Sequence, residues 1–483
     1  MNNQKMERNL SMLTDFYQIT MGNGYLKNNF KDAIATFDMF FRKVPDNGGY
    51  ALAAGLEQLI DYLKNLSFSE EDIEFLREKN IFNEEFLQYL KDFNFECDVW
   101  AIPEGTPIFP NEPIVKVQGP IIQAQLIETM VLLTINHQSL IATKASRIVK
   151  AAHGRSVMEF GSRRAQGYDG AILGARATYI GGCVGTACTI VERDFNIPAI
   201  GTMAHSWVQS FDTEYESFKA YAETYPTSCT LLVDTYSVLK SGIPNAIKVA
   251  KEVLEPLGCR LQGIRLDSGD LTYLSIEVRK MLDNAGLNDC KIVVSNSLDE
   301  YIIESLLHDG AKIDSFGVGE RMITSKSEPV FGGVYKLVAV QRGDTVIPKI
   351  KISENAEKIT NPHSKELYRL YDNKTGKAIA DLLTLENEVL DATKSYTLFD
   401  PNSIWKRKRI EDFTARKLLI PIFEKGKCVY TSPSVNDIQK YCKKELNTLW
   451  EEYKRFKNPQ TYYVDLSQKL WDVKHKLLME NTF

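Results

Sequence analysis

The residues that could do chemistry in this chain recur at intervals, each just after a short apolar run. His205 closes Pro198-Ala199-Ile200-Gly201-Thr202-Met203-Ala204, and Asp234-Thr235 closes Leu231-Leu232-Val233. Arg265, Asp267 and Asp270 share the stretch Ile264-Arg265-Leu266-Asp267-Ser268-Gly269-Asp270. Gly161-Ser162-Arg163-Arg164, Gly185-Thr186, Ser295-Asn296-Ser297 and Gly317-Val318-Gly319 end the remaining runs. Arginine forks suit carboxylate or phosphate. Asp234, Asp267 and Asp270 would repel phosphate directly, but suit ribose hydroxyls or a Mg²⁺ that bridges to pyrophosphate. Gly317, Gly319, Gly332 and Gly333 let backbone N–H groups come close to a terminal phosphate. Taken singly, His205 reads as a structural histidine, and each arginine or aspartate equally suits a salt bridge between loops. Together they describe a mouth for an anionic phosphorylated sugar.

Such a mouth needs strands that all deliver their ends to one side. Between Ser156 and Val340 strand-like and helix-like pieces alternate. The expected strands are Val157–Phe160, Cys183–Thr186, Ala199–Ala204, Thr230–Asp234, Gly263–Asp267, Ile292–Ser295 and Ile313–Val318. Helical patterns lie between them at Gly170–Gly181, Ile243–Leu257, Leu271–Asn284 and Glu300–His308. This is the βαβ rhythm of a parallel sheet, whose chemistry sits at the carboxyl ends of the strands. The run before His205 is apolar without alternation, as in a strand covered on both faces. Seven units suit an α/β barrel or an incomplete one better than an open six-stranded sheet, although the count alone does not decide. Gly-x-Gly-x-x-Gly is missing after the first strand, and there is no Gly-x-x-x-x-Gly-Lys-Ser/Thr, so neither a dinucleotide fold nor a P-loop is expected.

The flanking segments read differently. Ala33–Val44 alternates as a strand, Leu52–Leu66 is amphipathic, and Ser69-Glu70-Glu71-Asp72 resembles a capping box. From Gln123 to Ala152 the pattern is helical, with a break expected near Asn136-His137-Gln138-Ser139. Lys144 and Arg147 on that segment suit either a solvated face or a phosphate contact. After about residue 345 come strands with a hairpin turn at Asp372–Gly376, then a helix over Ser434–Arg455. The basic run Trp405-Lys406-Arg407-Lys408-Arg409 reads as a solvated face, because Glu411 and Asp412 follow it. Three domains follow: 1–137, 138–345 and 346–483.

Composition narrows the class. A chain of 483 residues with 44% hydrophobic and 25% charged residues can bury several cores. A formal net charge of −5 argues against general nucleic-acid binding. The eight cysteines are scattered without Cys-x-x-Cys, which points to free thiols in a reducing cytoplasm and to no zinc site. Cys183 and Cys188 suit core thiols better than a redox pair. Met1–Leu10 is polar, unlike a signal peptide, and no run is long enough for a membrane span.

The chain resembles the nicotinate phosphoribosyltransferase family. The resemblance rests on Leu13-Thr14-Asp15-Phe16-Tyr17-Gln18-Ile19-Thr20-Met21, Phe160-Gly161-Ser162-Arg163-Arg164-Ala165, Gly201-Thr202-Met203-Ala204-His205-Ser206, Leu232-Val233-Asp234-Thr235-Tyr236 and Arg265-Leu266-Asp267-Ser268-Gly269-Asp270-Leu271. Gly332–Leu337 and the stretch from Asn361-Pro362 to Tyr368-Arg369 extend it. The resemblance implies an N-terminal α/β domain, an irregular seven-stranded TIM-like α/β barrel and a small C-terminal domain. It implies transfer of phosphoribosyl from phosphoribosyl diphosphate to nicotinate in NAD salvage, coupled to ATP hydrolysis through a phosphorylated His205. It further implies that Tyr17, Thr202 and Arg265 contact nicotinate, with Tyr17 from the partner of a homodimer, and that Phe160 helps stack the ring. Asp234 and Asp267 are expected to join His205 as catalytic residues, Arg163, Arg164, Gly317 and Gly319 to bind substrate, and Mg²⁺ to accompany the diphosphate or ATP. Glu320 departs from the threonine that some relatives carry there. The rival readings are the nicotinamide-specific relative and a catalytically silent phosphosugar-binding barrel.

One position bears on the acid and the amide. The nicotinamide enzyme carries an aspartate where this chain has Ala187, and a carboxylate there would repel nicotinate. Ala187→Asp is therefore expected to shift the ratio of turnover toward nicotinamide. Paired kcat/KM measurements on the two substrates check this, and an unchanged ratio would mean that Ala187 does not face the ring.

Overall fold

The apolar runs of the central segment form a parallel sheet. In the computed structural model, which describes residues 8–480, its strands are Ser156–Glu159, Thr230–Leu232, Gly263–Leu266, Lys291–Ser295 and Ser315–Val318. Ser156–Glu159 lies at one edge, followed in order by Ser315–Val318, Lys291–Ser295, Gly263–Leu266 and Thr230–Leu232. The side chains of Val157, Leu231, Leu232, Ile264, Ile292, Val294, Phe316 and Val318 are buried, as a sheet covered on both faces requires. Helices Leu271–Asn284 and Glu300–His308 begin and end where the pattern predicts, the first capped by Asp270 and the second by Asp299. These elements belong to a compact unit, Ile141–Pro329.

Two expected strands are corrected. Cys183–Thr186 and Ala199–Ala204 contribute only single-residue bridges, Glu159 to Thr186 and Thr186 to Ala199, both parallel. They continue the sheet beyond Ser156–Glu159 without becoming strands, so the described residues show five strands with two bridged segments beside them, and neither seven strands nor closure into a barrel. The reason lies in the residues. Pro198 has no N–H to give a ladder, and glycines at 185 and 201 weaken strand structure. Pro198, Ala199, Gly201 and Ala204 are exposed, so the run before His205 is not covered on both faces.

The second unit joins the chain before residue 141 to the chain from Val330 on. Strand Ile34–Phe40 pairs antiparallel with Val115–Pro120 on one side and Val334–Arg342 on the other. The division between the units falls within the helix Glu128–Ala151, which runs unbroken through Asn136–Ser139. The expected break comes earlier, at Ile127, after the short helix Ile121–Leu126. Ser69 and Asp72 form the capping box. A four-stranded sheet holds the hairpin Lys365–Asp372 with Ala378–Leu385, where Arg369 and Asp381 stand opposite each other and pair at 2.6 Å, both fully buried. The basic run lies on the strand Ser403–Ile410, largely exposed. Ser434 caps a helix that stops at Thr448. Met1–Glu7, part of the stretch read for a signal peptide, lies outside the described residues. None of the described helices is long and apolar enough to cross a membrane.

Asp465, on the strand Val464–Leu466, is buried, and desolvation, with the charge of Asp400, lifts its pKa from 3.8 to about 7. The folded state therefore holds a proton that the unfolded chain releases at lower pH. Its contribution to stability is full below the unfolded value and is lost as pH rises toward the folded one. Asp465→Asn is expected to flatten the fall in stability between about pH 4 and pH 7. Denaturant titrations across that range check it; an unaltered slope would show that Asp465 stays ionised.

Candidate active site

The sheet brings most of the expected site residues together at its carboxyl edge. His205, Arg265, Asp234 and Asp267 each take a hydrogen-bond partner from another segment at that edge. His205 opens the short helix His205–Gln209, and its Nδ1 lies 3.0 Å from Thr235 Oγ1. This hydroxyl is the ring-orienting partner that sequence reasoning did not identify. Arg265 Nη1 donates to Thr202 Oγ1 at 2.7 Å. Burial lowers the pKa of the Arg265 guanidinium, and the charges of Asp267 and Asp234 oppose that shift. Its Nε is buried without a hydrogen-bond partner.

The two inner aspartates are each latched to the strand end that follows in the chain. The Asp267 N–H and the Ser268 hydroxyl donate to Asp234 Oδ2 at 3.0 and 2.5 Å. Asp234 Oδ1 is buried with no hydrogen-bond partner. The Ser295 hydroxyl donates to Asp267. Asp270 does not join them: its carboxylate accepts the Tyr273 N–H at 3.0 Å as a helix cap. Among the described residues no group of three or more His, Cys, Asp or Glu could hold a metal by itself.

The aromatic and cationic part lies at the end of Ser156–Glu159. Phe160 is half-buried, and its ring covers Gly317 so closely that a Cβ there would lie 2.4 Å from it. Gly317 itself is a ladder residue, paired with Met158 and Ser295. A Cβ on Gly319 would stand 3.0 Å from the Phe160 carbonyl oxygen. Arg163 and Arg164 are exposed on a single turn, Ser162–Arg164. Arg164, Gln166, Glu320, Thr324, Lys326 and Pro329 line an open cleft of about 370 Å³. Glu320 pairs with Lys326 at 2.7 Å, which holds its carboxyl below the usual range. Its charge is thus balanced by a lysine six residues on.

Other expectations resolve differently. Lys144 and Arg147 are neither solvated nor spread toward a ligand. Both are buried against Glu300, each at 2.9 Å, and Lys144 also donates to Ser327. Gly333 donates its N–H to Asn136 Oδ1, so that donor is not free for phosphate. Tyr17 belongs to the other compact unit, on the helix Phe16–Lys27, and is half-exposed. All eight cysteines are free of disulfides.

Sequence reasoning missed Glu159. This fully buried carboxylate ends its strand and accepts from Thr186 Oγ1 at 2.6 Å and from the Gly161 N–H. Burial raises its pKa, and the hydrogen bonds from Thr186, Gly161 and Ser162 oppose the rise. A signal was present: it is the one charged residue in the apolar run Val157-Met158-Glu159-Phe160, immediately before the polar turn.

Three family models match the chain. The nicotinate phosphoribosyltransferase N-terminal domain matches residues 12–136, the family's central model residues 155–384, and its C-terminal domain residues 364–474. Nicotinate phosphoribosyltransferase of Bacillus subtilis is 44% identical over 473 residues, spanning 98% of this chain and 96% of that protein. The crystal structure of human nicotinic acid phosphoribosyltransferase superposes with a TM-score of 0.84 at 30% identity, over 96% of this chain and all of that one. Nicotinate-nucleotide pyrophosphorylase from Pyrococcus furiosus shares the fold at 23% identity, with a TM-score of 0.70 over 93% of this chain and 99% of that one.

The His205–Thr235 contact makes a direct prediction. Thr235→Val keeps the volume and removes the hydroxyl, so the ring should lose its fixed tautomer while the unfolding midpoint moves by no more than a few degrees. Imidazole ¹⁵N NMR reads the tautomer, and a spectrum identical to wild type would show that Thr235 does not hold the ring.

Proposed function

Because the chain belongs to the nicotinate phosphoribosyltransferase family, we propose that it joins nicotinate to phosphoribosyl diphosphate with ATP hydrolysis coupled through His205. The products are nicotinate mononucleotide and pyrophosphate, a salvage step toward NAD. The pyridine nitrogen lone pair forms the bond to ribose C1. The C1–O bond to diphosphate breaks, and its electrons leave with pyrophosphate. The site must position a flat ring and neutralise the leaving group. Phe160 supplies a ring face, and Thr202 and Arg265 supply donors for the carboxylate. Arg163 and Arg164 supply cations toward the phosphates, beside the backbone at Gly317 and Gly319. Tyr17 reaches the partner's site in a homodimer. The exposed side chains of Leu13, Phe16, Tyr17 and Met21 on and before one helix support such a contact.

The observation that carries the ATP coupling is the His205–Thr235 hydrogen bond. When Nδ1 carries the proton and Thr235 accepts it, Nε2 holds a lone pair and can attack the γ-phosphorus of ATP. The N–P bond forms as the bond to ADP breaks, and hydrolysis later returns the histidine. Asp234 and Asp267 would hold a Mg²⁺ brought with diphosphate or ATP, since Asp234 Oδ1 is buried with no hydrogen-bond partner. Bound there, Mg²⁺ would neutralise phosphate charge. The same reading takes the bridged residues Thr186 and Ala199 as the sixth and seventh positions of an irregular barrel, flanked by the N- and C-terminal domains. It places the enzyme in the cytoplasm, which the eight thiols support.

The test is nicotinate turnover with ATP present and absent, together with γ-labelled ATP. Wild type is expected to turn over faster with ATP and to retain an acid-labile, base-stable phosphate. His205→Ala should take up no label and lose the stimulation. Label retained on that variant would put the nucleophile elsewhere.

A further inference from the structure

We propose that Glu159 is the positioning residue that sets the nicotinate-binding face, by tying the turn that bears Arg163 to the segment that bears Ala187. This rests on the reading of the site as a nicotinate site. The connections are specific. One carboxylate oxygen accepts the Gly161 N–H, at the start of the turn that carries Arg163 and Arg164. The other accepts the Thr186 hydroxyl at 2.6 Å, with Ser162 Oγ at 3.5 Å. Thr186 Oγ1 in turn accepts the Cys188 N–H at 2.9 Å. Ala187 lies between those two residues, and its own N–H donates to the Glu159 carbonyl at 2.8 Å. Thus side chain and main chain of a single residue fix both sides of Ala187 and the entry to the arginine turn.

The geometry leaves little slack. A Cβ on Gly161 would stand 2.8 Å from the Gly319 carbonyl oxygen, and one on Gly185 would stand 2.6 Å from that of Pro198. The two segments therefore approach other backbone closely on either side of Glu159, and their register is set by the carboxylate between them. A carboxylate offers acceptors on both oxygens. A glutamine of the same shape turns one of them into a donor, which then faces either the Gly161 N–H or the Thr186 hydroxyl. The buried amide or hydroxyl left without an acceptor must move or pay its desolvation.

The experiment compares wild type with Glu159→Gln, Thr186→Val and Thr186→Ser. Thr186→Val, which loosens only the segment bearing Ala187, is expected to raise KM for nicotinate about tenfold while KM for phosphoribosyl diphosphate changes less than about twofold; Glu159→Gln, which also frees the arginine turn, is expected to raise both. Thr186→Ser keeps the hydroxyl and should stay close to wild type. Amide hydrogen exchange without substrate gives a second readout: Gly161 should lose protection in Glu159→Gln and Cys188 in Thr186→Val. The proposal is overturned if Thr186→Val raises the two KM values together, if Thr186→Ser behaves as Thr186→Val, or if exchange at both amides stays as in wild type. Absence of nicotinate turnover in wild type would instead sink the assignment of the substrate, and the exchange measurement would still decide whether Glu159 holds the two segments.

Discussion

Polar side chains at and just past the carboxyl ends of the parallel strands borrow their hydrogen-bond partners from other segments at the same edge. This lateral borrowing is the constraint on which the site depends. Glu159 takes Thr186, His205 takes Thr235, Arg265 takes Thr202, Asp234 takes the Asp267 amide, and Asp267 takes Ser295. A buried polar group without a partner is costly, so every strand end is set by the one beside it. The two groups left incomplete are Asp234 Oδ1 and Arg265 Nε.

The same constraint explains why three short hydroxyl side chains matter as much as the charged ones. Thr186, Thr202 and Thr235 can each donate and accept, so they link groups that would otherwise repel or remain unpaired. Thr186 accepts from an amide and donates to a carboxylate in one step. Tethers of this kind fix a side chain without adding another formal charge to an edge that already holds Glu159, Arg163, Arg164, Asp234, Arg265 and Asp267.

What could be read from the chain divides along physical lines. Strands with β-branched, alternating or continuous apolar runs, such as Gly263–Leu266 and Lys291–Ser295, were legible because burial on both faces leaves that pattern. Cys183–Thr186 and Ala199–Ala204 have the right polar endings, but glycine and proline reduce them to single bridges. Helices Leu271–Asn284 and Glu300–His308 were legible to the residue because their caps are local. Asp270 looked like a site residue for the same reason it is a cap: a short acid before a helix serves both purposes. The burial of Lys144 and Arg147 depends on Glu300, more than 150 positions away, and no local pattern announces such a partner. The partner of His205 was hidden in the same way, since Thr235 adjoins it only once the sheet is folded.

The packing of Phe160 on Gly317 carries a consequence for how this sequence can change. The phenyl ring already occupies the space that a single methyl group at 317 would need. A larger residue at 317 becomes tolerable only after 160 has become smaller, and losing the ring first leaves a hole over Gly317. The two positions are therefore epistatic, and the order of substitution decides which routes through sequence space stay open. Drift in this part of the chain is confined to paired steps, however freely the exposed loops around it vary.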